Sequence, residues 1–132
     1  MRKWIVAVVG AMVLLAGAWL WRTTTLSAQT QTVSGRVVCL VCYARNKANT
    51  GHDHDEGFAC ARACVKWEGN PAGLVTANGK LYQLAGGVVA NNNEKISQHL
   101  AENVSITGKT YDKDGMAILA ADDVVRATGA AK

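Results

Sequence analysis

The placement of the cysteines constrains this chain more than any other feature. All four cysteines of its 132 residues lie within 26 consecutive positions, from Cys39 to Cys64. They form two pairs, Cys39-x2-Cys42 and Cys60-x3-Cys64, and residues 52–56 between the pairs are His-Asp-His-Asp-Glu. Thiols, imidazoles and carboxylates bind metal ions, and paired thiols also form disulfides, so this segment predicts either a metal site or a disulfide staple.

The first 22 residues have the pattern of an export signal. Arg2 and Lys3 precede an uncharged run over residues 4–21, and Arg22 ends that run. As a helix the run would be about 27 Å long at about 1.5 Å per residue, close to the ~30 Å hydrocarbon core of a bilayer. Residues 1–22 therefore predict an N-terminal transmembrane signal-anchor helix or a cleaved signal peptide.

Tryptophans at both ends of the apolar run favour the anchor. Trp4 on one side, and Trp19 and Trp21 on the other, match the aromatic belts of membrane helices. The rest of the chain is then expected at the periplasmic or extracellular face of the cytoplasmic membrane. Cleavage after Ala28 is the alternative, although the bulky Leu26 stands where a small residue is preferred.

The net charge of +4 comes largely from the export segment. Three of the fourteen Lys and Arg residues lie there, which leaves eleven basic against ten acidic residues from residue 29 onward. A nucleic-acid-binding domain carries a basic stripe, and this near-neutral domain shows none, so we expect no nucleic-acid partner. No phosphate-binding loop occurs, and Tyr43 after Cys42 excludes the Cys-x-x-Cys-His haem motif, so we expect neither nucleotide nor haem.

The remaining chain has the length of one small domain. Residues 23–31 predict a polar linker, residues 32–128 the domain, and residues 129–132 a frayed tail. Strand patterns cover residues 32–43, 74–77, 80–84, 104–108 and 116–119, and helical patterns cover residues 58–67 and 94–102.

A helix between the third and fourth of five strands is the arrangement of the OB-fold. The sequence therefore predicts a mainly β protein with two short helices, folded as a small OB-like five-stranded barrel. The Cys/His-rich residues 39–68 would be an insertion between strands one and two. The dipeptide Asn78-Gly79 predicts a type I′ hairpin turn between strands two and three.

Several short strings in the domain resemble a group of small exported bacterial proteins of unknown function. Cys42-Tyr43, the histidines that follow, Cys60-Ala61-x-x-Cys64, and the strings at 70–74 and 78–82 are similar to their pattern CY…H…CAxxC…GxPxGL…dGkxY. The resemblance covers roughly residues 33–125 and implies an OB-like barrel and an exported location, with no established activity. Cys39 and the second histidine depart from the pattern, so the matching histidine stays open.

A metal interpretation divides the cysteines unequally. Cys60 and Cys64, four residues apart on a predicted helix, share one face and can bind one ion. Cys39 and Cys42 lie three apart in a predicted strand, so they converge only if the chain turns sharply between them, and the two intervening residues favour a strand. The predicted ligands of one zinc or copper ion are therefore Cys42, Cys60, Cys64 and His52 or His54, with Cys39 on the other face.

Disulfides are the other interpretation, because exported proteins usually oxidise paired cysteines. Helix geometry makes Cys60–Cys64 a poor pair, so the expected bonds are Cys42–Cys60 with Cys39–Cys64, or the reverse, each adding about 2–4 kcal/mol. With no nucleophile–base motif in the sequence, we predict no catalytic residues.

Three hypotheses remain open. The first is an exported, membrane-anchored, non-enzymatic module that binds a transition metal. The second is a disulfide-stapled interaction or accessory subunit of a membrane complex, such as a redox complex. The third is a thiol–disulfide redox protein, which the predicted position of Cys39 within a strand disfavours, because redox motifs of this type begin a helix.

Overall fold

Six strands and a few short helices make up residues 28–50 and 61–128, the part of the chain that the computed structural model describes. The strands are β1 (Gln29–Cys39), β2 (Ala72–Val75), β3 (Leu81–Ala85), β4 (Asn103–Lys113), β5 (Met116–Ala120) and β6 (Val125–Arg126). The helical segments are α1 (Leu40–Arg45), a π-helix (Ala63–Trp67), a 3₁₀ turn (Gly87–Val89) and α2 (Ala90–Ser97).

The first five strands form a closed barrel. Hydrogen bonding runs in the order β1-β2-β3-β5-β4, and β4 pairs back with β1. The β3–β5 pair is parallel and the other pairs are antiparallel, while β6 adds to β4. The largest fully buried side chains are Leu74, Ile96, Leu100, Ile106 and Leu119. The mainly β class, the five-stranded barrel and the short helices predicted from the sequence are therefore confirmed.

The long strand β1 closes the barrel because it changes partner along its length. Its first part pairs with β4 as far as Arg36, and its last part pairs with β2 from Arg36 to Cys39. Gly35 lies at the change, where a Cβ atom would stand 2.4 Å from the carbonyl oxygen of Val75. The strand begins at Gln29, so residues 29–31 belong to the barrel and not to the predicted linker.

The two hairpins use different turns. Between β4 and β5, Asp114 and Gly115 both have positive φ, as a two-residue type I′ turn requires. Between β2 and β3 only Gly79 has a positive φ, so the type I′ turn predicted there is wrong. The Gly79 amide donates to the Thr76 carbonyl, and the Asn78 side chain accepts from the backbone of the residue after Gly79. These local bonds stabilise a wider loop that ends in one left-handed glycine.

The helix between β3 and β4 is shorter than predicted. Its Ile96 and the following Leu100 enter the core, as their spacing indicated. The helix ends at Ser97 instead of residue 102, because Leu100 forms a β-bridge with Val37 and Ala101 adopts a positive φ of 65°. Tertiary pairing with β1 thus replaces the last predicted turn.

Several predictions fall on residues 1–27, 51–60 and 129–132, which lie outside the described residues. They include the predicted anchor with Trp4, Trp19 and Trp21, and the predicted tail. Within residues 28–50 and 61–128, no helix is long and apolar enough to span a bilayer.

Candidate metal centre

Three cysteines from different segments meet at one end of β1. Cys39 is the last residue of β1, Cys42 lies in α1 and Cys64 lies in the π-helix. Their three Sγ atoms all lie within 4.8 Å of one another, and the Cys42 Sγ atom is 4.0 Å from the Cys64 Sγ atom. We call these three residues the thiol cluster.

Cys39 and Cys42 converge because the chain changes from strand to helix between them. Cys39 makes the last β1–β2 pair, with Ala72, and the next amide, that of Leu40, donates to the Pro71 carbonyl at 3.0 Å. Cys39 is then the N-cap residue of α1, in extended conformation, and Cys42 is the third residue of the helix. One helical turn places the two side chains on the same side.

The predicted strand over residues 32–43 is therefore wrong beyond Cys39, and so is the expectation that Cys39 faces away from Cys42. The residues Leu40 and Val41 favour a strand, but Leu40 instead packs over β2. A Cβ atom at Gly73 would lie 2.4 Å from the Leu40 Cδ2 atom, so the missing side chain of Gly73 makes room for this turn.

Asparagines of α2 hold the segment that carries Cys64. The Asn93 amide nitrogen donates to the Val65 carbonyl at 2.9 Å and to the Asn70 carbonyl at 3.1 Å, and the Asn92 amide donates to the Lys66 carbonyl. Val65 itself is fully buried in the core. The π-helix is therefore tied to α2 directly after its cysteine.

Sequence reasoning missed this role of the asparagines. Residues 91–93 all adopt left-handed conformations, with φ of 53°, 56° and 60°. Asparagine tolerates this conformation better than other residues with a Cβ atom. Three consecutive asparagines were the available signal, but their bonding partners lie over twenty residues away along the chain.

The cluster lies largely inside the protein. Cys39 is 1% exposed and Cys42 is 8% exposed, while Cys64 is half-buried. Burial, hydrogen bonding to Cys39 and the adjoining charges of Cys39 and Cys64 raise the pKa of the Cys42 thiol from 9.0 to about 12. Without an ion, Cys42 is thus a neutral thiol at pH 7.

This raised pKa bears on the redox hypothesis. The structure removes one objection to it, since Cys39 does stand immediately before a helix. However, the thiolate is the reactive form in thiol–disulfide exchange, and reactive cysteines have lowered pKa values. Cys42 has the opposite shift, and the barrel is not the α/β fold of thioredoxin-like enzymes.

No disulfide joins the described cysteines. Cys39, Cys42 and Cys64 are free thiols, and the 4.0 Å between Cys42 Sγ and Cys64 Sγ is about twice the ~2.05 Å of a disulfide bond. Of the two alternative pairings expected, neither the Cys39–Cys64 bond nor the Cys42–Cys64 bond is formed. Bonds that involve Cys60 lie outside the described residues.

The separation of the sulfurs fits one thiolate-bound ion. With metal–sulfur bonds of about 2.3 Å, two sulfurs on a tetrahedral ion lie about 3.8 Å apart. The Cys42–Cys64 pair, at 4.0 Å, is already close to this value. The other two separations, within 4.8 Å, require movements of at most about 1 Å. The three cysteines can therefore hold a metal ion.

The other predicted ligands and the remaining histidine stand apart from this cluster. Cys60, His52 and His54 lie outside the described residues. Among the described residues, no histidine or carboxylate joins the three sulfurs. The ring of His99 instead contacts Glu102, at 2.9 Å between Nδ1 and Oε2.

Comparison with known proteins adds no family to these observations: no family model, no curated protein and no solved structure matches the chain.

Proposed function

We propose that this protein is an exported, membrane-anchored, non-enzymatic module that binds one transition metal ion, zinc or copper, at the thiol cluster. The observation that carries the proposal is the convergence of three Sγ atoms within 4.8 Å, from two short helices and a strand end. Thiolates are the preferred protein ligands of zinc and copper(I). For zinc, which takes four ligands in structural sites, the fourth would come from Cys60, His52 or His54.

The strand order supports an OB-type barrel as the scaffold. Its elements are five strands closed in the order β1-β2-β3-β5-β4-β1, with a helix between β3 and β4. The usual nucleic-acid function of such barrels needs a basic groove with stacked aromatics, and the near-neutral domain offers little support for one. The cluster lies at the end of β1 and in the connection between β1 and β2. The Cys/His-rich insertion, residues 39–68, was predicted at this position.

Export and anchoring rest on the sequence alone, through the basic start, the apolar run and its tryptophans. A cut after Ala28 would leave the barrel complete, because β1 begins at Gln29. The mass of the N-terminus after export decides between the two forms. A chain that starts at Gln29 would rule out the anchor.

The decisive experiment is elemental analysis with a thiol count on protein exported to the periplasm and purified without chelators. We expect about one equivalent of zinc or copper, and four thiols that react after denaturation without added reductant. Protein with neither metal nor free thiols would overturn the proposal and favour the disulfide-stapled subunit.

Two sets of variants locate the ligands. Cys42→Ser should lose the ion, because it removes a sulfur at the centre of the cluster. His52→Ala with His54→Ala tests the histidine ligand, and His99→Gln is the matched control, since His99 lies outside the cluster. Unchanged metal content in the double variant would exclude both loop histidines.

A second candidate, the accessory subunit, is favoured by Trp67. This side chain ends the π-helix and is 78% exposed. Exposed tryptophans are frequent at the centres of protein interfaces. Trp67→Ala should then weaken copurification with membrane subunits without changing metal content.

A further inference from the structure

The thiol cluster supplies only sulfur. Within residues 28–50 and 61–128, the group that can hold an ion consists of Cys39, Cys42 and Cys64, with no imidazole and no carboxylate. Zinc in structural sites takes four ligands, and it binds nitrogen and oxygen donors in addition to sulfur. Copper(I) is softer, prefers thiolates, and is satisfied by three of them.

The spacing of the sulfurs suits three-coordination as well as it suits a tetrahedral ion. Three sulfurs around an ion in one plane, with bonds of about 2.3 Å, lie about 4.0 Å apart. The Cys42–Cys64 separation is 4.0 Å. Cys39 ends a paired strand, and the neighbour of Cys64, Val65, accepts a hydrogen bond from Asn93. Both backbone segments are therefore held in place, and small side-chain movements suffice to bring all three sulfurs to equal distances.

Three basic residues close to the cluster cysteines in the sequence favour a negatively charged site. Three thiolates and one copper(I) carry a net charge of −2, which is unfavourable inside a protein unless it is compensated. Arg45 and Lys47 follow Cys42, and Arg62 precedes Cys64. Arg45, Lys47 and Arg62 are all exposed, and each stands within five positions of a cluster cysteine in the chain.

We propose that Cys39, Cys42 and Cys64 alone form a complete three-coordinate site for copper(I), whereas zinc requires an additional ligand from outside this cluster. The inference rests on the proposed metal-binding function and narrows it to one ion. The three sulfurs are then sufficient to bind copper(I), and the sulfur of Cys39 is essential for this binding.

The test compares two ions on two proteins, the wild type and a variant with His52→Ala, His54→Ala and Cys60→Ser. Both are titrated without oxygen, with zinc(II) against a chromophoric chelator and with copper(I) against a copper(I)-specific chelator. We expect the variant to lose zinc affinity about tenfold or more, while copper(I) affinity and the 1:1 stoichiometry stay unchanged. Equal losses for both ions would overturn the inference.

Adding Cys39→Ser to that variant should abolish copper(I) binding, and retention would also overturn the inference. X-ray absorption of copper(I)-loaded wild type gives a measurement that does not depend on the variants. We expect three sulfur neighbours, and a nitrogen or a fourth sulfur would contradict three-coordination. If the wild type binds zinc but the variant does not bind copper(I), only this inference fails. If the wild type binds neither ion, the proposed function fails with it.

Discussion

At the residue scale, the protonation of Cys42 controls how the cluster takes up an ion. Its raised pKa means that the thiol keeps its proton at neutral pH until a metal displaces it. Any ion that binds through the Cys42 sulfur must therefore release that proton. Competition from protons weakens as the pH rises.

We predict that metal affinity rises by about tenfold per pH unit for each thiol proton released, at every pH below the thiol pKa values. Titration calorimetry at pH 7 in buffers of different ionisation enthalpy measures the number of protons released. At least one proton per ion is expected in the wild type. An affinity that is the same at pH 6 and pH 8 would contradict the involvement of Cys42.

The same shift has the opposite consequence for the metal-free protein. The pKa of Cys42 is higher in the folded state than its ordinary value of 9.0, so the folded state favours the neutral thiol. This stabilisation is complete below about pH 9 and is lost as the pH rises towards 12. Alkaline conditions therefore strengthen metal binding and weaken the metal-free fold, so the two effects can be measured separately.

Asn93 is the residue through which the barrel positions Cys64. Asn93→Ala removes the donor to two backbone carbonyls, at a site 7% exposed, and keeps the left-handed backbone strain. Asn91→Ala is the matched control, because Asn91 has a similar φ of 53° but is exposed and makes no side-chain hydrogen bond within the described residues.

We predict that Asn93→Ala costs about 1–3 kcal/mol more in free energy of unfolding than Asn91→Ala. Urea denaturation of the metal-free proteins measures both. Metal affinity should fall for Asn93→Ala alone, because its partner Val65 adjoins Cys64. Equal losses of stability in the two variants would mean that the hydrogen bonds do not hold the π-helix.

At the scale of elements, the sequence correctly predicted strands whose conformation is determined by neighbouring residues. The strand patterns at residues 104–108 and 116–119 depend on neighbouring residues, and both strands are present. The strand-to-helix change after Cys39 depends on a hydrogen bond from Leu40 to Pro71, which lies thirty-one residues further along the chain. Local strand propensity at Leu40 therefore predicted the wrong element.

The same distinction between local and distant interactions applies to the prediction of the candidate site. The cysteines were identified as a cluster because their spacing in the chain is short. The predicted ligand set wrongly left out Cys39, because residues 40–43 were predicted as strand and instead form a helix. Side chains three residues apart face opposite sides of a strand but the same side of a helix. The contribution of the loop ligands Cys60, His52 and His54 stays a prediction.

The change of partner along β1 leads to a prediction about Gly35. A Cβ atom there would lie 2.4 Å from the Val75 carbonyl oxygen, a backbone atom that cannot rotate away. We predict that Gly35→Ala costs about 3 kcal/mol and exposes the amides of the β1–β2 pairs to hydrogen exchange.

The control for Gly35 is Gly115→Ala, at a turn with φ of 79° and open space around the added Cβ atom. It should cost about 1–2 kcal/mol from left-handed strain and leave exchange at β1–β2 unchanged. If Gly35→Ala lowers the free energy of unfolding without faster hydrogen exchange at the β1–β2 pairs of Arg36–Cys39, its effect does not arise where β1 changes partner.

At the scale of the whole molecule, the cluster joins segments that are distant in the chain. It connects the end of β1, where this strand pairs with β2, with α1 and with the π-helix that is hydrogen-bonded to α2. An ion bound there links these elements in the folded state only, because the unfolded chain does not hold its three sulfurs within 4.8 Å of one another. Metal binding is then coupled to folding.

We predict that an ion at 100 times its dissociation constant stabilises the fold by about 2.7 kcal/mol. In a domain of this size, 1 kcal/mol shifts the melting temperature by about 4–8 °C, so the Tm should rise by about 10 °C or more. Calorimetry with and without the ion, and after addition of chelator, measures this rise. Cys42→Ser should show no rise and His99→Gln the full rise, since only the first removes a sulfur from the cluster. An equal rise in Cys42→Ser would place the ion elsewhere on the protein.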